Sequence, residues 1–353
     1  MRFLLFLLFP FSWLYDGVTR VRNLLFDIGI LNSQKSKIPT ISVGNLRVGG
    51  TGKTPMVEYL IRLLKDEYSL STLSRGYGRK SRGFLKAGDS ITASQLGDEP
   101  FQIFEKYGGD VQVFVSEKRV LGVENISQDQ RKTDLIILDD AYQHRYLTPD
   151  LSILLTTWKQ PFYKDFLLPV GRLRESRIGA KRADVIVVTK CPSERTSEEE
   201  KFIRKGIQKY YKKGTPIFFS SISYGSPRPI FPTAQFSRQV ILFSGLADPS
   251  GFINYCEKNY SVLESCHFSD HHPYSKSDLE VLHRLAKDHR NENPVFLTTE
   301  KDGVKVKSLL PKGYLGEFPI FVLPIEARME ATEEGELMNL IQHKVLGKGE
   351  ASE

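Results

Sequence analysis

One stretch, GNLRVGGTGKTP at residues 44–55, constrains the fold of this chain more than any other part of the sequence. A short predicted strand, TISVGN (40–45), leads into it, and a helical pattern of apolar residues follows it. Glycine-rich loops between a strand and a helix bind phosphate through their backbone N–H groups and the positive end of the helix. The chain is therefore predicted to be an α/β protein whose main domain is a P-loop NTPase-like, mostly parallel sheet flanked by helices.

The predicted nucleotide contacts are eight consecutive residues of this loop: Arg47, Val48, Gly49, Gly50, Thr51, Gly52, Lys53 and Thr54. Lys53 would reach the β- and γ-phosphates, and the hydroxyl of Thr54 would bind Mg²⁺. The general pattern has a glycine where this chain has Arg47, so the start of the loop departs from it. Gly-Lys-Thr between a strand and a helix is nevertheless specific, and it predicts a nucleotide site.

Two neighbouring carboxylates follow a second apolar run. Residues 133–144 read TDLIILDDAYQH, and the buried-strand pattern at 135–138 ends at Asp139 and Asp140. Ligands of open α/β sheets collect at the carboxyl ends of the strands. These acids are therefore expected beside the phosphate loop, where they would hold Mg²⁺ directly or through water. The alternative is a pair of exposed turn acids.

The chain is predicted to divide near residues 222–238, where three prolines interrupt an alternation of strand and helix patterns. The predicted parts are an N-terminal membrane-associated segment (1–35), a nucleotide-binding domain (36–222), a linker (223–238) and a smaller α/β domain (239–353). The last helix, at 333–345, would pack on either domain. Closure of the smaller domain over the loop would assemble the site.

The N-terminal segment is strongly apolar, with FLLFLLFPFSWL at residues 3–14. A membrane span needs about 20 such residues, and no small-residue cleavage site of a secretory signal follows. Farther along, one helical face carries Leu14, Val18, Val21, Leu25 and Ile28. We favour a helix in the membrane interface, with Trp13 and Tyr15 near the headgroups. A helix docked on the core of the protein and a true span or signal are the alternatives.

The chain is basic, because 49 Lys and Arg against 42 Asp and Glu give a formal net charge of +7. Such an excess fits an anionic membrane, a phosphorylated substrate or nucleic acid. No RNA-binding motif, recognition-helix signature or long basic tail is visible, so no nucleic-acid partner is predicted. Three cysteines without a paired framework suit a reducing compartment.

Six motifs follow one another along the chain: VGNLRVGGTGKTP (43–55), SRGYG (74–78), GDEP (97–100), DDAYQH (139–144), LLPVGRLRE (167–175) and TEKDGVK (299–305). Together they closely resemble the tetraacyldisaccharide 4'-kinases of lipid A biosynthesis. The resemblance implies transfer of the γ-phosphate of ATP, with Mg²⁺, to the 4'-hydroxyl of a lipid-anchored glucosamine disaccharide 1-phosphate. It also implies a place at the cytoplasmic face of the inner membrane, peripheral or monotopic. No oligomeric state is predicted.

The resemblance implies a catalytic pair. Asp98 would be the catalytic carboxylate, Glu99 its acidic neighbour at the metal, and His271 the histidine that pairs with Asp98. For Asp98 the local alternative is a turn before a helix that begins near Phe101. The residues around His271, CHFSDHH, do not have the spacing of a structural zinc site.

A second set of residues is implied at the phosphates and the substrate. Asp139 and Lys53 are expected to take part in catalysis. Asp139 is also expected to bind the metal. The expected contacts of the substrate and its phosphates are Arg172, Arg174, Glu175, Gln143 and His144. The chain has Ala141 and Tyr142 where many relatives have Gly and Phe, which is a conservative change for metal binding.

A membrane-partitioning P-loop ATPase without a lipid acceptor is the alternative function. The stretch VGGTGKT resembles that class too, but those loops usually carry a lysine directly before the glycine pair, where this chain has Val48. That class explains neither GDEP nor FSDHH. A membrane scaffold that binds nucleotide only for stability is a third alternative. ATP hydrolysis without a lipid acceptor would favour either of them.

Overall fold

The computed structural model describes residues 2–231, 235–270, 272–307, 309–310, 319–345 and 347. These residues form two large sheets of mostly parallel strands, with helices packed on them. The predicted α/β class, with a P-loop NTPase-like main sheet and a smaller second α/β unit, is confirmed. We call the two parts the main unit and the second unit.

The helices are α1 (Arg2–Asp27), α2 (Lys53–Leu64), α3 (Ala93–Leu96), α4 (Asp98–Tyr107), α5 (Arg119–Ser127), α6 (Ser197–Ile207), α7 (Ser250–Asn259), α8 (Lys276–Asp288), α9 (Glu300–Lys307) and α10 (Ala331–Lys344). Local sequence explains several of their starts. Capping boxes begin α6 at Thr196 and α8 at Ser275, because each hydroxyl accepts the N–H three residues on.

The strands are β1 (Gln34–Lys35), β2 (Thr40–Asn45), β3 (Leu70–Ser74), β4 (Leu85–Lys86), β5 (Gln112–Val115), β6 (Leu135–Asp139), β7 (Leu147–Thr148), β8 (Leu151–Thr157), β9 (Val185–Cys191), β10 (Ile217–Tyr224), β11 (Arg228–Pro229), β12 (Gln239–Ser244), β13 (Ser261–His267), β14 (Val295–Thr299), β15 (Ile320–Leu323) and β16 (Ile325–Arg328). Those predicted from apolar runs lie where the sequence placed them, within a residue or two.

The main sheet has the strand order β16-β10-β9-β8-β2-β6-β3-β5-β4, and only its two edge strands are antiparallel to their neighbours. Helices cover both of its faces, so the central strands are buried on both sides. On one face α2, α4 and α10 contribute Leu60, Ile103 and Leu337 to a single core. On the other face α5 and α6 contribute Ile126 and Ile203 to two smaller cores.

The second unit contains the sheet β11-β15-β14-β12-β13, in which only β11 is antiparallel to its neighbour. Its core includes Phe243, Phe296 and Leu279. The chain then returns to the main unit: β16 pairs with β10, and α10 packs Leu337 and Ile341 into the core of the main sheet. The final helix thus packs on the main sheet, although it lies in the predicted 239–353 domain. The predicted domain boundaries stay a prediction.

The N-terminal helix α1 leaves most of the predicted apolar stripe in solvent. Leu14 is 68% exposed and Val18 is 61% exposed, whereas polar groups of the opposite side contact the protein. The hydroxyl of Ser12 donates to Leu167 O at 3.1 Å, and that of Tyr15 donates to Arg174 O at 2.8 Å. The helix thus contacts the protein through the side opposite this stripe, and its place in the membrane interface stays a prediction. No helix in the described part of the chain combines the length and apolarity that a membrane crossing requires.

Candidate active site

The phosphate loop (residues 46–52) connects the end of β2 to the start of α2, as predicted. Its Gly52 has φ +84°, in the left-handed region that favours glycine. Backbone hydrogen bonds hold the loop against a neighbouring segment: Val48 N–H donates to Arg172 O at 2.8 Å, and Arg174 N–H donates to Leu46 O at 2.7 Å. The first part of the loop is therefore held in place by backbone hydrogen bonds.

Asp140 lies beside Lys53 at the carboxyl edge of the main sheet. The Nζ of Lys53 is 3.7 Å from its Oδ1, and Arg174 donates to both carboxylate oxygens, at 2.7 and 3.1 Å. Burial opposes ionisation of Asp140, but the hydrogen bonds of Arg174 and the charge of Lys53 outweigh it and lower the pKa to about 2. Asp140 is thus a carboxylate at neutral pH that lies in a turn and is paired with Arg174 and Lys53.

Asp139 has the opposite character. It ends β6, is almost fully buried, and its Oδ1 has no hydrogen-bond partner among the described residues. Burial, and then the charge of Glu99, raise the pKa of Asp139 to about 7, although Lys53 counteracts them. An unsatisfied carboxylate oxygen at a phosphate loop is what a bound cation would satisfy.

These residues fit a Mg²⁺ ion. No three acidic, histidine or cysteine side chains of the described residues converge to hold a metal by themselves. Mg²⁺ usually takes one or two carboxylates and completes its shell with phosphates and water. Asp139 and its chain neighbour Asp140, together with the hydroxyl of Thr54 in the first turn of α2, would supply such a partial set.

Asp98 is the first residue of α4, so the alternative of a helix that begins near Phe101 is wrong. Gly97 precedes it with φ +99°, and a Cβ atom there would lie 3.1 Å from the backbone of Gly76. The motifs GDEP and SRGYG therefore touch through two glycines, which sets the start of α4. The first turn of a helix also favours acids, because of the helix dipole.

Lysines of the second unit face these acids. In α9, Lys305 Nζ lies 3.4 Å from Asp98 Oδ2, and Lys301 Nζ lies 4.0 Å from Glu99 Oε1. Lys305 also donates to His272 O at 3.3 Å. His271 lies outside the described residues, so its pairing with Asp98 stays a prediction. Both lysines belong to the motif TEKDGVK, and no role was predicted for them.

Gln143 and Glu175 connect the loop to α1. Gln143 Nε2 donates to Asn45 O at 2.8 Å and to Glu175 Oε1 at 2.9 Å, and Glu175 accepts from Asn23 of α1 at 3.1 Å. Glu175 also pairs with Arg182 at 2.8 Å. These contacts connect the end of β2 to α1, so Gln143 and Glu175 stabilise the site through hydrogen bonds to other protein groups.

His144 lies in a cationic environment. Burial, and then the charges of Arg119 and Arg75, lower its pKa to about 4, with a smaller effect of Arg22 from α1. The imidazole is therefore neutral at physiological pH. Arg75, from SRGYG, is exposed and forms no ion pair with the described residues. This surface suits an anionic group.

The sequence profile of one protein family, described as tetraacyldisaccharide-1-P 4'-kinase, matches residues 4–345. The chain belongs to this family. The tetraacyldisaccharide 4'-kinase of Flavobacterium johnsoniae is 44% identical over 306 residues, which are 85% of this chain and 87% of the relative. That of Flavobacterium psychrophilum is 41% identical over 325 residues, 91% and 92% of the two chains.

A solved structure extends the match to three dimensions. LpxK from Aquifex aeolicus, crystallised in complex with ATP, is 34% identical and superposes with a TM-score of 0.75 over 97% of this chain and 99% of that chain. The family and its fold thus apply to nearly the whole chain. The chain is a lipid phosphotransferase with ATP and Mg²⁺ as cofactors, as predicted. The membrane-partitioning ATPase is not favoured. The roles of individual residues stay predictions.

Proposed function

We propose that the chain phosphorylates the 4'-hydroxyl of tetraacyldisaccharide 1-phosphate in the cleft between the phosphate loop and α9, with Asp98 at the hydroxyl. The observation that supports this most is the place of Asp98. It begins α4 against Lys305 of the second unit, while the next residue, Glu99, is close enough to raise the pKa of Asp139 beside the loop. The acid thus lies between the two sides of the cleft.

Phosphoryl transfer needs in-line positioning and neutralised charge more than covalent help. Lys53 would neutralise the β- and γ-phosphates, and Arg174 would keep Asp140 ionised and oriented. Mg²⁺, held by Asp139, Asp140 and Thr54, would offset the charge that develops on the phosphates. Asp98 would accept the proton of the sugar hydroxyl, or orient that hydroxyl, within hydrogen-bond reach.

The acceptor's anionic 1-phosphate would bind near the exposed Arg75. Arg119 is buried and donates to Ser116 O and Asp139 O, so it would act only through its charge. This assignment is supported by the charges that lower the pKa of His144, because the same cations would attract a phosphate. Arg22 of α1 lies in this group and donates to Gln143 O at 2.9 Å. A phosphate held here would lie next to the helix that we assign to the membrane.

We further propose that α1 lies in the cytoplasmic leaflet of the inner membrane. The exposed residues Leu14, Val18 and Val21 form its solvent side, and Trp13 is 70% exposed. Phe9 of α1 packs edge-to-face on Phe166, which is itself 52% exposed, so the apolar surface continues onto the main unit. A helix with this face would bring the site to a substrate whose acyl chains stay in the bilayer.

A transfer assay tests the function. Purified protein in detergent micelles receives γ-labelled ATP, Mg²⁺ and acylated glucosamine disaccharide 1-phosphate. We expect label in the lipid fraction. ATP consumption with unlabelled lipid would contradict the proposal and favour the ATPase.

A flotation assay tests the membrane helix. We expect the triple substitution Leu14→Gln, Val18→Gln and Val21→Gln to release the protein from anionic lipid vesicles, because each change removes apolar contact with the bilayer. Transfer to a water-soluble, deacylated acceptor serves as the control and should persist. Unchanged flotation would contradict the proposed role of α1.

A further inference from the structure

Two cations flank the glycine pair of the phosphate loop. A Cβ atom on Gly50 would lie 3.6 Å from the Nζ of Lys190, and one on Gly49 would lie 3.9 Å from an Nη of Arg172. Arg172 is predicted to contact the phosphates and the substrate, whereas no role was predicted for Lys190. The two side chains lie on either side of the loop, so we compare their contacts with those of the other cations there.

The fold brings Lys190 to the loop in an unusual way. It is the last residue but one of β9, where the five residues before it are buried and it is exposed. Its φ is +55°, in the left-handed region that L-residues rarely adopt. The hydroxyl of its neighbour Thr189 donates to Thr51 O at 2.7 Å, which bonds the end of β9 to the loop. A strained backbone thus persists where the strand meets the phosphate loop.

The other arginines at the loop already have partners. Arg47 pairs with Asp165 at 2.8 Å, and Arg174 pairs with Asp140. In the described part of the chain, by contrast, the side chains of Lys190 and Arg172 form no ion pair.

The electrostatic surroundings of Lys190 also favour the binding of an anion. Although the residue is exposed, partial desolvation of its ammonium lowers the pKa, and the charge of Asp248 in the second unit only partly offsets this. Lys159 and Arg47, which are also cations, lower it further. An ammonium group in this setting gains from an incoming anion.

We propose that Lys190 binds the phosphate chain of ATP from the outer side of the loop, next to Gly50 and opposite Lys53. The proposal rests on the proposed function, because it takes the loop as the nucleotide site. It deepens that function by giving the loop a second lysine, which the glycine-lysine-threonine pattern does not include. Arg172 would contact the same phosphates from the side of Gly49.

Equilibrium binding of ATP and of adenosine to three variants tests this proposal. Lys190→Asn removes the charge, and asparagine tolerates a left-handed backbone, so the loop should keep its shape. Lys190→Arg keeps the charge. Lys181→Asn is the matched control, because Lys181 is an exposed lysine just before the opposite, amino end of β9.

We expect Lys190→Asn to weaken ATP binding about tenfold, as for one charge-assisted hydrogen bond, and to leave adenosine binding unchanged. Lys190→Arg should restore most of the ATP affinity. Equal ATP affinities of Lys190→Asn and Lys181→Asn would overturn the proposal, and so would an equal loss of adenosine binding. The wild-type transfer assay reports separately on the function, since ATP can bind to a protein that phosphorylates no lipid.

Discussion

The two sides of the cleft are held in different ways. On the side of the main sheet, backbone hydrogen bonds fix the phosphate loop to residues 172–174. On the other side, α9 meets α4 through ion pairs of long side chains, such as Lys305 with Asp98 and Lys301 with Glu99. Backbone bonds fix a loop, whereas such ion pairs can break and re-form. The side of α9 is therefore the one that we expect to move during closure.

The ion pairs between α4 and α9 also differ among themselves. The Nζ of Lys106 lies 2.6 Å from Oε2 of Glu58 in α2 and 2.9 Å from Oε1 of Glu300 in α9. Glu58 is only 1% exposed. Lys106 thus joins three helices: α2, which begins at Lys53, α4 and α9. Nearer the surface, Lys307 pairs with Glu105 at 2.6 Å. Four substitutions test these differences.

The largest effect is expected from Lys53→Ala on the fixed side. Turnover should fall about a thousandfold, roughly 4 kcal/mol of transition-state stabilisation, because the charge on the phosphates is no longer neutralised. The measurement is kcat in the transfer assay. Lys65→Ala, at the other end of α2, is the control and should keep wild-type turnover. Near-normal turnover of Lys53→Ala would remove the loop lysine from the mechanism.

Asp98→Asn tests the acid between the two sides. We expect kcat to fall about a hundredfold, because the side chain can no longer accept a proton. The dissociation constant of ATP should stay within about twofold of the wild-type value, and both quantities are measured on the same preparation. If ATP affinity collapses instead, Asp98 is a ligand of the nucleotide or of the metal.

Lys106→Met tests the buried connection. We expect the free energy of unfolding to fall by about 2 kcal/mol at pH 8, because Glu58 loses its cation in a buried position. Burial already raises the pKa of Glu58, and Lys106 counteracts that rise. Without Lys106 the pKa of Glu58 rises further. The loss of unfolding free energy is therefore largest above that pKa and shrinks as the pH falls towards 5. Denaturant titrations at pH 5 and pH 8 measure it, and a deficit that grows at low pH would contradict this account.

Lys307→Met gives the smallest effect and serves as the matched control for Lys106→Met. It breaks an ion pair between the same two helices, but the side chains of Lys307 and Glu105 are 49% and 31% exposed. Exposed pairs contribute about 0.5 kcal/mol. A loss comparable to that of Lys106→Met would mean that burial does not distinguish the two pairs.

The sequence predicted the fixed side of the cleft better than the other side. The loop and its helix were found because glycines, lysine and threonine are adjacent in the chain, and Asp139 and Asp140 were found because they end an apolar run. These signals are local. Strand propensity and the rule that ligands collect at carboxyl ends were enough to bring them together.

The contacts that the sequence did not predict join residues far apart in the chain. Lys106 and Glu300, or Lys190 and Gly50, meet only through the folding of complete units, and no local pattern marks them. The pairing of β16 with β10 has the same origin, because a strand of four residues next to β15 looks like a continuation of the second sheet. A single sequence has no signal for such partners.

The return of the chain to the main sheet also determines how the second unit is attached. Two connections run side by side, since Tyr224 pairs with Ile325 and Gly225 N–H donates to Pro324 O at 2.9 Å. A single connection would let the second unit rotate about any axis, whereas two adjacent connections restrict it to rotation about one axis. Truncation from the C-terminus would accordingly strip an edge strand and a core helix from the main unit before it removed any of the second.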